Sequence, residues 1–170
     1  MNWPPLILVA EDNDDEFVLL RCAFESAGLP DRLIGVCNGA EALDYLYAEE
    51  GYSNRAAFPF PDLMLLDLHM PVVDGFEVLA AVSDRLEFLN LPVVVLSSDD
   101  DPVTIRTARR LGARDYIPKP LTMQQRVEMV RRLHARWLAN IEKPAREIHG
   151  FTSGEVRSRL LDEKTQGKQG

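Results

Sequence analysis

Short apolar runs alternate along the chain with segments in which apolar residues recur every three or four positions. The first run, Leu6 to Ala10, is apolar throughout, as expected of a strand covered on both faces of a sheet. In the segment that follows, Phe17, Leu20 and Phe24 have helical spacing, and Gly28 marks the end of that helix. The pattern recurs to the end of a last long helix, which predicts five strands alternating with five helices.

The other strands are predicted at 32–37, 63–66, 93–96 and 114–118. Strands that alternate with helices are joined by right-handed crossovers, so that the helices cover both faces of a parallel sheet. The predicted fold class is therefore α/β, with a doubly wound five-stranded parallel sheet.

Two segments do not follow this alternation of strands and helices. Residues 49–61 contain Gly, Ser, Asn and Pro, and they are predicted to form a surface loop. Residues 1–141 are predicted to be one domain, and residues 142–170 a C-terminal tail. In the tail, Thr152 and Glu155 have the spacing of a capping box, which predicts one short helix ahead of a disordered end. The apolar positions of that helix are Val156, Leu160 and Leu161.

Charge and composition restrict the classes of function. The net charge of −8 opposes broad electrostatic binding to nucleic acid, and neither a helix-turn-helix segment nor a basic domain is evident. The apolar runs are too short to cross a membrane, and the first residues do not resemble a signal peptide. Cys22 and Cys37 have the spacing of neither a disulfide framework nor a zinc site, so both are predicted to be reduced, buried thiols. These features predict a cytoplasmic protein.

Polar side chains follow four of the five predicted strands. Glu11 and Asp12 come after the first strand, Asp67 ends the third, Ser97 ends the fourth, and Lys119 follows the fifth. Ligands of an open parallel sheet bind beyond the carboxyl ends of the strands. We therefore expect three carboxylates, a hydroxyl and an ammonium to meet at one edge.

Three carboxylates placed together repel one another and favour a cation. A hard divalent ion fits oxygen ligands best, and Mg²⁺ commonly takes one or two protein carboxylates together with water and phosphate oxygens. Beside a metal and Lys119, Asp67 has the surroundings of a carboxylate nucleophile that attacks phosphorus, with Ser97 able to hydrogen-bond the transferred group.

The order of these residues resembles the receiver domain of two-component response regulators, from about Leu6 to Leu138. The resemblance rests on Glu11-Asp12, Asp67, Met70-Pro71, Asp74-Gly75, Ser97, and the stretch Gly112-Ala113-Arg114-Asp115-Tyr116-Ile117-Pro118-Lys119-Pro120. It implies a flavodoxin-like sheet with the strand order 2-1-3-4-5.

The resemblance also implies a role for each site residue. Asp67 would accept a phosphoryl group from a histidine kinase. Mg²⁺ would be bound by the side chains of Asp12 and Asp67, by the backbone carbonyl of His69, and by Glu11 through water. Ser97 would contact the phosphoryl group, Tyr116 would change rotamer with it, and Lys119 would pair with it. A cis peptide bond between Lys119 and Pro120 is a further expectation of the family.

Within the family, the long loop at 49–61 and the lack of an output domain resemble the single-domain regulators paired with bacterial and cyanobacterial phytochrome kinases. The expected partner is therefore a sensor histidine kinase, with a bacteriophytochrome as the narrower candidate. The face formed by the fourth helix, fifth strand and fifth helix is expected to form a homodimer, or else to be a solvated surface. Its charged residues are Arg106, Arg109, Arg110, Asp115 and Arg126.

Two other functions stay open from the sequence. The first is a Mg²⁺-dependent phosphohydrolase with Asp67 as its nucleophile, although dehalogenase-type enzymes have their nucleophile after the first strand. The second is a scaffold that works without phosphorylation. Tyr116 likewise has an alternative, since it can be an aromatic residue that merely packs on the core.

Overall fold

The computed structural model describes residues 4–141. Its sheet has five parallel strands in the order β2-β1-β3-β4-β5, which confirms the predicted fold class and strand order. The strands are β1 (Leu6–Ala10), β2 (Arg32–Val36), β3 (Leu63–Leu66), β4 (Val93–Ser97) and β5 (Asp115–Pro118).

Helices connect consecutive strands and follow the last one. They are α1 (Asp14–Ala27), α2 (Gly39–Tyr47), α3 (Gly75–Ser83), α4 (Pro102–Arg110) and α5 (Met123–Leu133). Short 3₁₀ turns lie at Glu50–Tyr52 and Leu86–Phe88, and α5 continues into a π-helical turn at His134–Leu138. Among these helices, none is long and apolar enough to cross a membrane.

Each face of the sheet is covered by its own apolar cluster. Ile7 of β1 faces α1 and α5, where it belongs to one cluster with Phe24 and Val130. Leu8, the next residue of β1, belongs to the other cluster with Leu79 of α3, on the side of α2, α3 and α4. Successive side chains of a strand point to opposite faces. This explains why the buried strands are apolar at every position.

Two expectations about single residues are wrong. Cys37 is exposed and Cys22 is half-buried, although both thiols are unpaired as predicted. Cys37 lies just past the end of β2, outside the covered part of the sheet. The peptide bond between Lys119 and Pro120 is trans, as are the other bonds within residues 4–141. Trans is the lower-energy isomer of a bond that precedes proline.

The long connection between α2 and β3 is more ordered than its composition suggests. Arg55 donates hydrogen bonds to the backbone carbonyls of Tyr45 and Leu46, at 2.8 and 2.7 Å, near the end of α2. A third bond of 3.3 Å reaches the carbonyl of Phe58. The guanidinium therefore adds hydrogen bonds to carbonyls at the end of α2 and fastens the loop to that helix.

We expect Arg55→Ala to lower the free energy of unfolding by about 2 kcal/mol, because these bonds come from a charged donor. Urea denaturation of the full chain measures this change. Arg106→Ala, at an exposed position of α4, is the matched control and should change stability by less than about 0.5 kcal/mol. Equal stability of the two variants would mean that the loop does not depend on the Arg55 contacts.

Candidate functional site

Backbone hydrogen bonds align the carboxyl ends of the strands. Ala10 of β1 pairs with Leu66 of β3, and one residue further the Asp67 N–H donates to the Ala10 carbonyl at 2.9 Å. At the other side of the site, the Lys119 N–H donates to the Ser97 carbonyl, also at 2.9 Å. These bonds continue the strand ladders beyond the strands, so the residues that follow each strand lie together.

The centre of the site is the Lys119 ammonium, which binds two carboxylates. Its Nζ lies 2.7 Å from Asp67 Oδ2 and 2.7 Å from Glu11 Oε2. The three side chains are only 10%, 8% and 6% exposed, respectively. Charge-assisted hydrogen bonds are strong, and a buried charge requires such partners. The sequence prediction that these residues converge at one edge is therefore seen directly in the contacts.

Burial and charge act against each other on both partners. Burial raises the pKa of Glu11 and outweighs the lowering by the hydrogen bond and charge of Lys119. Burial also opposes the charged form of Lys119, but hydrogen bonds to Asp67 and Glu11 outweigh it and hold the pKa of the lysine above its ordinary value. Lys119 is thus a permanent cation at neutral pH.

Asp12 completes an acidic cluster. Carboxylate oxygens of Glu11, Asp12 and Asp67 all lie within 4.8 Å of one another, and Asp12 is exposed. The cluster therefore has three carboxyl groups against the one ammonium of Lys119, which makes it acidic overall. The donor set consists of hard oxygen atoms, which fits a divalent cation of the Mg²⁺ type and not a metal that prefers nitrogen or sulfur.

Ser97 and Tyr116 are linked through the backbone of Asp99. The fully buried Ser97 Oγ accepts a hydrogen bond of 3.3 Å from the Asp99 N–H. The Tyr116 hydroxyl donates to the Asp99 carbonyl, and burial raises the pKa of this tyrosine, which keeps its hydroxyl protonated. The ring also belongs to the core cluster, so Tyr116 both packs in the core and reaches the loop after β4.

His69 lies beside the acidic cluster with an exposed side chain. Its Nε2 is 3.6 Å from Asp99 Oδ2, and its backbone N–H points to Asp67 Oδ1 at 3.4 Å. The imidazole has no contact with Glu11 or Asp12 in the described structure.

The Asp74-Gly75 pair fixes the loop that follows Asp67. The Gly75 N–H donates to the Leu68 carbonyl at 2.9 Å, and a Cβ at position 75 would overlap the backbone of Asp67 and Leu68. Asp74 begins α3 in a capping box with Glu77. Only glycine permits this close approach of α3 to the end of β3.

An ion pair next to the site was not foreseen from the sequence. Arg126 of α5 binds Glu16 of α1 through two hydrogen bonds of 2.9 and 3.1 Å, and Arg126 is buried. Arg126 is therefore not available on the exposed face where it was expected. Asp115, another residue expected there, pairs with Arg136 of the same chain at 3.0 Å. Partners 110 residues apart leave no local pattern in the sequence.

Comparisons with known proteins agree with this geometry. Residues 7–131 match the response regulator receiver domain family. The chain belongs to that family.

Solved structures similar to this receiver include three regulators linked to light signalling or phytochromes. Response regulator RPA3017 in red light signaling of R. palustris is 32% identical with a TM-score of 0.77, covering 84% of this chain and 99% of that one. The phosphorylated cyanobacterial phytochrome response regulator RcpA is 32% identical with a TM-score of 0.74 and the same coverage. The Mn²⁺-bound form of response regulator Rcp1, from Synechocystis, is 29% identical with a TM-score of 0.73, covering 84% of this chain and all of the other.

We expect Lys119→Met to lower the free energy of unfolding by about 3 kcal/mol near pH 8 without divalent metal, because it leaves Glu11 and Asp67 buried without their cation. The loss should shrink toward pH 5. Without the ammonium, the folded-state pKa of Glu11 rises further, so the folded state is penalised when Glu11 is ionised and relieved when it is protonated.

Denaturation of wild type and variant at the two pH values measures this difference. Arg110→Met, at an exposed position of α4, is the control for loss of a cation. An equal loss at both pH values would assign the effect of Lys119→Met to packing instead of charge.

Proposed function

We propose that this receiver accepts a phosphoryl group on Asp67 from the phosphohistidine of a sensor histidine kinase. The observation that carries the proposal is the Lys119 ammonium bound to Asp67 and Glu11 at the aligned strand ends. In the transfer, the bond between phosphorus and the histidine nitrogen breaks as a bond to an Asp67 carboxylate oxygen forms. The kinase histidine leaves as neutral imidazole once it takes up a proton.

Mg²⁺ is the proposed cofactor. We assign its protein ligands to the side chains of Asp12 and Asp67 and to the backbone carbonyl of His69, with Glu11 acting through water. When bound, the ion supplies positive charge next to the transferred group. The cluster of carboxylate oxygens supports this assignment, as does the Mn²⁺ bound to the similar Rcp1.

Lys119 and Ser97 are proposed to hold the phosphoryl oxygens. Lys119 needs only a small displacement from Asp67 Oδ2 to pair with a group attached to that carboxylate. The Ser97 hydroxyl accepts from the Asp99 N–H, and its own proton can be donated to the phosphoryl group. Both residues then replace contacts of the resting state with contacts to the product.

The same exchange provides a signal. If Ser97 turns toward the phosphoryl group, it gives up the Asp99 N–H, and Tyr116 is bonded to the carbonyl of that same residue. We propose that Tyr116 changes rotamer as a result and alters the surface formed by α4, β5 and α5. A local charge change is thereby coupled to an element with two arrangements.

We propose that this surface forms a homodimer and that signalling proceeds through protein contacts in the cytoplasm, without nucleic acid or a membrane. Arg106, Arg109 and Arg110 are exposed on α4 and available for such contacts, unlike Arg126. A phytochrome is the kinase we propose, because RPA3017 and RcpA are described as regulators of red light and phytochrome signalling. Residues 142–170, predicted as a tail, lie outside the described residues.

Incubation of the full chain with Mg²⁺ and acetyl phosphate tests the phosphoacceptor. We expect intact-mass analysis to find one added phosphoryl group, which is lost in Asp67→Asn and retained in Asp14→Asn, an exposed carboxylate at the start of α1. The reason is that Asp67, unlike Asp14, lies against Lys119 at the aligned strand ends.

Other outcomes would contradict the proposal. An adduct on Asp67→Asn would place the acceptor elsewhere. Sustained phosphate release from many small phosphoesters by wild type, absent in Asp67→Asn, would indicate the phosphohydrolase. If no adduct forms and no phosphate is released from the donor, the result would indicate the scaffold.

A further inference from the structure

An open groove runs along the edge strand β5 and the outer side of α5. It encloses about 590 Å³, a volume within the range of ligand-binding pockets in proteins. Its walls include the apolar side chains of Ile117, Met129 and Leu133. One end lies at Leu121, next to Lys119 of the functional site, and the other end lies at Trp137 in the π-helical turn.

Two features of this groove indicate that something covers it. Leu121 is 94% exposed. The indole N–H of Trp137 is buried, yet it has no acceptor among residues 4–141. Native proteins rarely leave a buried N–H donor unpaired. The groove therefore combines an exposed apolar end with a donor that needs an acceptor.

The last described residues of the chain lie close to the Trp137 end of the groove. Trp137 is four residues before Ile141, the last described residue. The turn that contains Trp137 is fastened by His134, whose Nδ1 lies 2.8 Å from Oδ2 of the fully buried Asp31 side chain. This contact fixes where the remaining 29 residues begin.

We propose that residues 152–163 of the same chain occupy this groove. In the sequence, Val156, Leu160 and Leu161 have the spacing of one helical face, which suits the apolar walls. The acids Glu155, Asp162 and Glu163 can meet the exposed arginines of the rim, Arg132 and Arg136. Each of these arginines also pairs with one acid of the described structure, Glu128 and Asp115 respectively. A backbone carbonyl or carboxylate of this segment can accept from Trp137.

The length of the connector permits docking within one chain. The ten residues 142–151 span at most about 33 Å when extended, whereas α5 and its turn, from Leu121 to Trp137, are about 24 Å long. A tethered segment also has a high effective concentration, which favours its own groove over that of a second molecule. Occupancy would cover part of the α4, β5 and α5 surface and so restrict protein contacts there. That restriction of partners rests on the proposed function, whereas the docking itself does not.

Trp137 reports on the groove directly. The chain contains two tryptophans, so Trp3→Phe leaves Trp137 as the single tryptophan, which can be excited selectively over the tyrosines. We expect Leu160→Asp/Leu161→Asp in this full-length background to raise acrylamide quenching of Trp137 about twofold, because the segment no longer covers the groove. Ser158→Asp, which adds a charge on the opposite side of the predicted helix, should leave quenching unchanged.

Two further readouts decide the occupant. Trypsin should cleave faster after Arg157 in the double variant than in its Trp3→Phe parent, and the shielding of Trp137 should not depend on protein concentration. Unchanged quenching in Leu160→Asp/Leu161→Asp would overturn the proposal. Shielding that disappears on dilution, together with a fall in mass by light scattering, would assign the groove to a second copy and also overturn it.

Discussion

The buried Lys119 ammonium is the interaction on which the rest of the site depends. It brings Glu11 and Asp67 to 2.7 Å on either side of one cation, in a place where unpaired carboxylates would be unstable. The lysine neutralises only part of the charge of an acidic cluster that also contains Asp12. The remaining negative charge favours binding of a divalent cation at this edge of the sheet. The lysine favours binding of a phosphoryl group at the same edge.

Neighbouring contacts make that arrangement rigid on one side and adjustable on the other. Gly75 packs α3 against the end of β3, and the Glu16–Arg126 pair ties α1 to α5 below the acids. The loop after β4 is linked to the two hydroxyl groups of the site by one hydrogen bond to Ser97 and one from Tyr116. Rigid carboxylates with a replaceable set of hydroxyl contacts are what a phosphorylation switch requires.

The residues of the central cluster could be predicted because Asp67 and Lys119 directly follow strands β3 and β5. The carboxyl ends of parallel strands meet at one edge of the sheet, so these charged side chains lie together. Arg126 could not be placed, because its partner is remote in sequence and only the packing of α1 on α5 makes it buried. The role of Arg55 could not be predicted because its partners are backbone carbonyls, which every residue has, so no residue type in the sequence marks them. The family resemblance was wrong about the bond before Pro120, which is trans.

Calorimetric titration with Mg²⁺ tests most directly whether the cluster is built to take a further cation. We expect one site in wild type, weakened at least about tenfold in Asp12→Asn, because that change removes a ligand of the cluster. Asp14→Asn removes the same charge from the exposed start of α1 and should retain wild-type affinity. Equal weakening in both variants, or no saturable binding in wild type, would show that the acids act only as a general negative surface.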